Sequence, residues 1–288
     1  VKSSKIKNIM AAVKSFPGMP GAAAKLLSLL NESDTSVTQV EEILKYDPGL
    51  TANVLKLTNS AYFGLPSKIG SVRQAVILLG AKKLIQLVLA SCVRAVMGKA
   101  VAGYDLPAGE LWRHSIAVSV AAETLVKELK LPAIDVVFTA ALLHDVGKLA
   151  LGGFVDDDLK EIEGAASADI PFEVAEQSVL GTDHAEVGAL ILNRWSFPPD
   201  IVRAVQWHHA PDAGPQTSCL VDVVHVANVL ATMIGIGGGR EGLRHLPSEA
   251  AVRRLGLRAF QLEKVASQTL QWISELSDIS GLNQEPVR

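Results

Sequence analysis

Apolar residues along this chain recur every three or four positions, the spacing that lines one face of an α-helix, and no stretch alternates convincingly as a strand would. Pro20 opens a segment over 22–30 whose apolar positions include Ala23, Leu26, Leu27 and Leu30. Ser36 followed by Gln39 forms a capping box ahead of Val40–Leu44. Asp47-Pro48 sets an N-cap carboxylate before a proline at the first helical position, which opens a helix to about Asn59. Ser71 caps Val72–Leu79, Gly80 stops it, and a longer helix fills Ala81–Met97. The run from Gly98 to Pro107, with Gly103 inside it, reads as a boundary between two halves.

The second half repeats the pattern. A long helix covers roughly Ala108–Lys130 and stops before Pro132, and another over Ala133–Asp145 runs into Gly147 and Lys148. Asp183 with Glu186 is a further capping box, opening a helix through about Trp195. Pro198-Pro199 starts a helix that ends near His208-His209, and Ser218 is placed to cap Cys219–Met233. Gly235, Gly237, Gly238 and Gly239 read as a flexible break before a C-terminal helical pair that ends around Leu276. The expectation is an all-α protein in three parts, 1–98, 99–234 and 235–288.

Composition narrows the function classes. The 288 residues suffice for a sizeable core, 49% are hydrophobic, and a formal net charge of −3 gives no electrostatic footprint for nucleic acid. Cys92 and Cys219 are far apart in apolar helical segments and read as buried small hydrophobes in a reducing compartment. The most apolar window, Leu84 to Met97, is interrupted by Gln86, Ser91 and Arg94 and is too short to span a bilayer. Lys2, Lys5 and Lys7 alternate with polar residues where a secretory signal would be apolar. These features point to a cytoplasmic protein with neither nucleic acid nor membrane as partner, and fix no oligomeric state.

The chemistry lies in the order His114, His144-Asp145, His184, His208-His209. Five of the seven histidines belong to this series, two of them adjacent, which uniform scatter would not produce. Singly, each has an ordinary structural role open to it. His114 suits a hydrogen-bonded core position, Asp145 a turn before Gly147, His184 a solvated first turn, and His208-His209 a helix C-terminus. Together they form a donor set of imidazoles and a carboxylate, which suits Fe, Mn or Zn better than Mg or Ca. Successive helical residues diverge by about 100°, so one ion must draw its ligands from several helices.

The string Leu142-Leu143-His144-Asp145-Val146-Gly147-Lys148 resembles the signature of the HD superfamily of metal-dependent phosphohydrolases, and the wider arrangement is similar to the HDOD (HD-related output domain) family of bacterial signalling proteins. The first half carries the likeness through Asp47-Pro48-Gly49-Leu50-Thr51, Leu57-Thr58-Asn59-Ser60-Ala61, Ile69, Ala75-Val76 and Leu79-Gly80. The second half adds Asp183-His184-Ala185-Glu186-Val187-Gly188 and Trp207-His208-His209, so that the match covers about 16–230. It implies a multi-helix HD-like bundle in 99–234 with an N-terminal helical subdomain packed against it. It also implies a metal site at His114, His144 and Asp145, joined by His184, His208 and His209 as in the related HD-GYP phosphodiesterases, and a Lys148 that meets substrate phosphate.

The late aspartate of HD enzymes appears here as Asn228, and the Gly-Tyr-Pro segment of HD-GYP enzymes is absent, since Ala210-Pro211-Asp212 follows His209. Asp222 is no substitute, because six helical residues place it about 240° around the axis from position 228. His225, three residues from Asn228, reads as core. The resemblance and the missing carboxylate favour a regulatory module that keeps one or two transition-metal ions, iron foremost, works with signalling proteins and has little or no hydrolase activity. The competing expectation is a phosphohydrolase for a nucleotide or cyclic nucleotide. A weaker one is a redox-active di-iron sensor.

Overall fold

Helices account for every regular element among the described residues, as the spacing of apolar positions requires; a lone bridge joins Val101 to Leu106. The computed structural model describes residues 2–19, 21, 24, 25, 37–45, 48–59, 65, 68–132, 136–166, 170–237, 239, 240 and 246–280. Most of the segment 22–30 lies outside them, as do Ser36, Asp47, Ser60, Ala61, Ala133 and Gly238. The chain divides into two compact units, one of 1–17 with 97–269 and the other of 18–96 with 270–288.

The N-terminal boundary therefore differs from the expected 1–98. Helix α1 (Lys2–Ser15), which the lysine-rich start did not suggest, folds with the larger unit. Its end is held there by Arg194, whose guanidinium donates to the carbonyls of Val13 and Phe16, and by Trp195, whose indole N–H donates to Pro17 O at 3.2 Å.

The smaller unit contains α2 (Val37–Lys45), α3 (Pro48–Thr58), α4 (Val72–Leu79) and α5 (Ala81–Met97), with the last two bounded as the sequence predicts. Ser71 caps α4 through Gln74 N, and Gly80, at φ +83°, takes the left-handed side of φ that separates α4 from α5. Asn59 clamps the loop before α4 by donating to Ile69 O at 2.9 Å and accepting from Ile69 N at 2.7 Å. Thr51 Oγ1 donates to Leu44 O and ties α3 to α2.

In the larger unit, the turn Ala102–Tyr104 leads to α6 (Glu110–Glu128), α7 (Val137–Leu143), α8 (Lys148–Asp157), α9 (Leu159–Ala165) and α10 (Phe172–Leu180). Then come α11 (His184–Arg194), α12 (Pro199–Trp207), α13 (Cys219–Met233), α14 (Glu249–Leu255) and α15 (Ala259–Ser280), which runs on into residues of the smaller unit. Helices α6, α7, α12 and α13 pack against one another around buried Leu111, Ala121, Ala141, Val205, Val223 and Ala227. Helix α11 lies against both α12 and α8.

Helices α8, α9 and α10 go beyond the sequence reading, because Gly152-Gly153 and short apolar runs obscure their period. Ser218 precedes α13 without a side-chain cap, and Cys219, the first residue of that helix, is exposed, unlike buried Cys92. The stretch Val137–Asp157 is apolar enough to cross a membrane by length and composition, yet 78% of its window is buried within the fold, as a core segment is.

Candidate metal centre

Helix α7 ends at Leu143, two residues before the expected limit, and His144 to Gly147 form a tight turn. His144 keeps right-handed helical angles, φ −55° and ψ −35°, and its imidazole reaches round to bring Nε2 within 3.3 Å of Asp145 Oδ2. Gly147 makes the turn fit. A Cβ there would lie 1.9 Å from His184 O and 2.6 Å from Gly188 N, so the missing side chain lets the first turn of α11 touch the turn after α7. Asp183 caps α11 by accepting from Glu186 N at 2.8 Å, and His184 is its first residue. His208 and His209 follow the end of α12, while His114 on α6 faces Asn228 on α13.

The described structure brings every sequence-predicted site residue into one cluster, buried except for the half-buried His209. Asp145 is its centre: Oδ2 lies 3.3 Å from His144 Nε2 and 3.6 Å from His114 Nε2, and Oδ1 lies 3.5 Å from His184 Nε2 and 3.7 Å from His208 Nε2. His209 Nε2 is 2.9 Å from His184 Nε2. Asp145, His184, His208 and His209 form one potential ligand group, and His114, His144 and Asp145 a second.

The outer nitrogen of each ring shows where the protons are. A carbonyl oxygen only accepts, so Nδ1 donates in His114 (to Ile236 O, 2.8 Å), His144 (to Ala141 O, 2.7 Å) and His208 (to Val205 O, 2.7 Å). In His184, Nδ1 donates to the Glu176 carboxylate at 2.8 Å, and the same oxygen accepts the His184 backbone N–H. Burial holds the His114 imidazole neutral, with its pKa lowered to about 4, and burial also drives that of His208 well below the usual range. Burial would raise the Asp145 pKa, but His144 and Lys148 outweigh it and keep the carboxyl well below the ordinary range. In a neutral ring with Nδ1 protonated, Nε2 carries a lone pair. Nε2 of His144, Nε2 of His208 and Oδ1 of Asp145 are buried without a hydrogen-bond partner.

Lone pairs converging on a carboxylate with no protons between them repel one another, and a cation removes the conflict. The spacings suit one. Two donors each about 2.1 Å from an ion stand about 3.0 Å apart at a right angle and about 3.4 Å apart at the tetrahedral angle. The residues present therefore fit a transition-metal ion. Asn228 Oδ1 lies 3.0 Å from His114 Nε2. Without an ion the amide must turn its N–H to that nitrogen; with one its oxygen can join the shell.

The profile of the HDOD domain matches residues 16–211. The chain belongs to the HDOD family. This HDOD protein is 26% identical to an HDOD domain protein of unknown function from Geobacter sulfurreducens, with a TM-score of 0.72 over 97% of this chain and 94% of that one. It is also 26% identical to a protein from Shewanella amazonensis SB2B named as a candidate phosphohydrolase, with a TM-score of 0.71 over 93% and 97%. A Treponema pallidum (strain Nichols) protein of uncharacterised function is 22% identical over 92% of this chain, which spans only 50% of that relative's length.

Around the candidate ligands of this HDOD protein stand residues the sequence reading did not single out. Glu176 backs His184, and Glu173 Oε1 lies 3.9 Å from His209 Nδ1. Both are buried on α10, and carboxylates at i and i+3 beside Phe172, Ala175 and Leu180 were the available signal. The glycine run, expected as a flexible break, is built against the site in its described part. Ile236 is buried and accepts from His114, and a Cβ on Gly237 would meet His114 Cβ at 2.4 Å. His225 is buried, as expected of core, with both ring nitrogens used: Nδ1 donates to His208 O and Nε2 accepts from Ser248 N. Asp222 points elsewhere and pairs with Arg254. Lys148 is 2% exposed, and its ammonium donates to Asp145 Oδ2 at 2.8 Å beside the Tyr104 ring.

Proposed function

We propose that this protein is a metal-binding regulatory module of bacterial cytoplasmic signalling, with little or no hydrolase activity. The observation that carries the reading is the burial of every member of the centre but His209. His114, His144, Asp145, Lys148, His184 and His208 are each at most 2% exposed, and Lys148, the residue assigned to substrate phosphate by resemblance, is engaged with Asp145. A hydrolytic centre needs a reacting phosphoester within reach of an activated water and a cation to neutralise it, whereas an ion that organises structure needs only its ligands. Asn228 also supplies no carboxylate to take a proton from that water. His114, His144, Asp145, His184, His208, His209 and Asn228 would hold iron first, or manganese or zinc, as one or two ions, and the ion would supply Lewis acidity there. Signalling proteins are the partners this reading implies; an 18% identical protein of the same fold from Marinobacter aquaeolei VT8 is named as a candidate signal transduction protein.

The second reading, hydrolysis of a nucleotide or cyclic nucleotide, draws support from the intact His-Asp pair and from the Shewanella amazonensis protein's name. The test is turnover of a panel of phosphomonoesters, nucleotides and cyclic dinucleotides by protein loaded with Fe(II) or Mn(II). Absent or very slow turnover is expected. Robust turnover that His144→Ala abolishes would put hydrolysis first.

A further inference from the structure

The two oxygens of the Asp145 carboxylate face unlike surroundings. Oδ2 already holds a cation, the buried ammonium of Lys148 at 2.8 Å. The other groups on that side are the imidazoles of His144 and His114 and the amide of Asn228, which lies 3.0 Å from His114 Nε2 and can satisfy it by turning its N–H inward. His144 Nε2 is then the one open donor there.

Oδ1 has no hydrogen-bond partner, although Asp145 is fully buried. It faces Nε2 of His184 and of His208, with His209 Nε2 2.9 Å from the former. Negative charge stands behind this side, for Glu176 takes the His184 Nδ1–H and Glu173 lies 3.9 Å from His209. A carboxylate behind a ligating imidazole fixes its tautomer and raises its basicity. Buried charges are little screened, so an ammonium on Oδ2 repels an ion there and leaves the Oδ1 side as the better place for one.

The geometry points to a centre for a single ion, held by Asp145, His184, His208 and His209, with the Lys148 ammonium taking the electrostatic place of a second ion beside His114 and His144. This rests on the metal-binding reading above and adds where the ion sits and how many there are. It makes the His114–Asn228 pair a packing contact and the His184 side the working one, and ties single occupancy to the identities of residues 148 and 228.

Full-length protein, stripped by chelator and titrated with Mn(II), provides the test through bound metal per chain and the paramagnetic resonance spectrum. One ion per chain is expected, with the signal of an isolated Mn(II). Two ions with an exchange-coupled spectrum would overturn the inference while leaving the metal-binding reading standing, and no bound ion would overturn both. His208→Ala should lose the ion, whereas His114→Ala should keep one ion with affinity lowered by less than about tenfold; the reverse pattern would refute the assignment. The double variant Lys148→Met with Asn228→Asp removes the ammonium and adds a carboxylate, and should raise the count from one ion to two. A count that stays at one would show that Lys148 does not set the occupancy. The unsubstituted protein decides the stoichiometry whether or not the variants fold.

Discussion

Replacing Gly147 with alanine tests how the turn after α7 assembles the centre. The backbone at Gly147 has ordinary right-handed angles, φ −63° and ψ −27°, so conformational strain is not the issue. The new Cβ would lie 1.9 Å from His184 O, 2.6 Å from Gly188 N and 2.9 Å from His184 C. A tolerable carbon–oxygen approach is about 3.3 Å, so the first turn of α11 must retreat by about 1.4 Å. Overpacking costs ~1–3 kcal/mol, and the upper end applies because the opposing atoms are backbone and cannot rotate away. About 3 kcal/mol, set against an unfolding entropy of ~2.1 cal/mol/K per residue over 288 residues, corresponds to a fall in Tm of ~5 °C.

The retreat also carries His184 away from Asp145, well beyond the ~0.2 Å tolerance of metal–ligand distances. Melting should therefore be followed with chelator and with added Mn(II). Gly147→Ala should lose stability in both, and lose most of the increment that metal gives the unsubstituted protein. Gly153→Ala is the control: nothing stands within 4 Å of its Cβ, and glycine within a helix is disfavoured against alanine, so a gain of ~0.5–1 kcal/mol is expected. A Gly147→Ala protein that melts within ~0.5 kcal/mol of the original and binds metal as well would refute the reasoning.

Three further outcomes are expected. Removing metal should lower the melting temperature, since an ion at a hundred times its Kd stabilises the native state by about 2.7 kcal/mol, and scanning calorimetry of His208→Ala should show little of this difference. Glu176→Gln should weaken metal binding by ~10–100-fold in competition with a chelator, because the carboxylate behind His184 is lost; unchanged affinity would show that Glu176 only packs. Arg254→Met should destabilise the protein, as buried Asp222 loses its partner, and flatten the acid limb of the stability curve. The sign follows from Asp212, whose carboxyl is held below its ordinary range by the Ser248 hydroxyl and then by Arg254. A lowered folded pKa adds stability that is present above the unfolded value of about 3.9 and is lost as pH falls through the folded one, so urea midpoints at pH 7 and at pH 3 should converge in the variant.

Local grammar made much of this fold legible. Ser71, Gly80, Asp183 and Pro199 mark boundaries by side-chain or backbone chemistry confined to a few residues, and the helices they bound fall where that chemistry puts them. Helix α8 escaped because Gly152-Gly153 imitates a break, while buried Leu151 and Val155, which hold it, act through tertiary packing that a period count does not weigh. The members of the cluster were legible as residue types in order. Their outer partners were not, because Ile236, Ala141 and Val205 act through backbone carbonyls, which every residue possesses. Glu176 is the exception: a charged residue on an apolar helix face announces that something buried needs it.

The packing that makes the ligands converge is also what encloses them, and the two effects have one origin. His144 and Asp145 sit on a turn whose glycine admits the backbone of α11, His208 is tied through its carbonyl to His225 on α13, and His114 is covered by Ile236-Gly237. The candidate ligands thus report the positions of α6, α7, α11 and α12, and their movement would shift an element of the bundle. An ion in such a place trades its binding free energy directly against helix arrangement, so gain or loss of metal, or a change in its charge, alters the surface only by moving whole helices. A catalytic ion gains from an open coordination position and from access for substrate. On the proposed reading, this centre would spend its ligands on cross-bracing, the arrangement in which a buried ion biases the shape a partner protein would read.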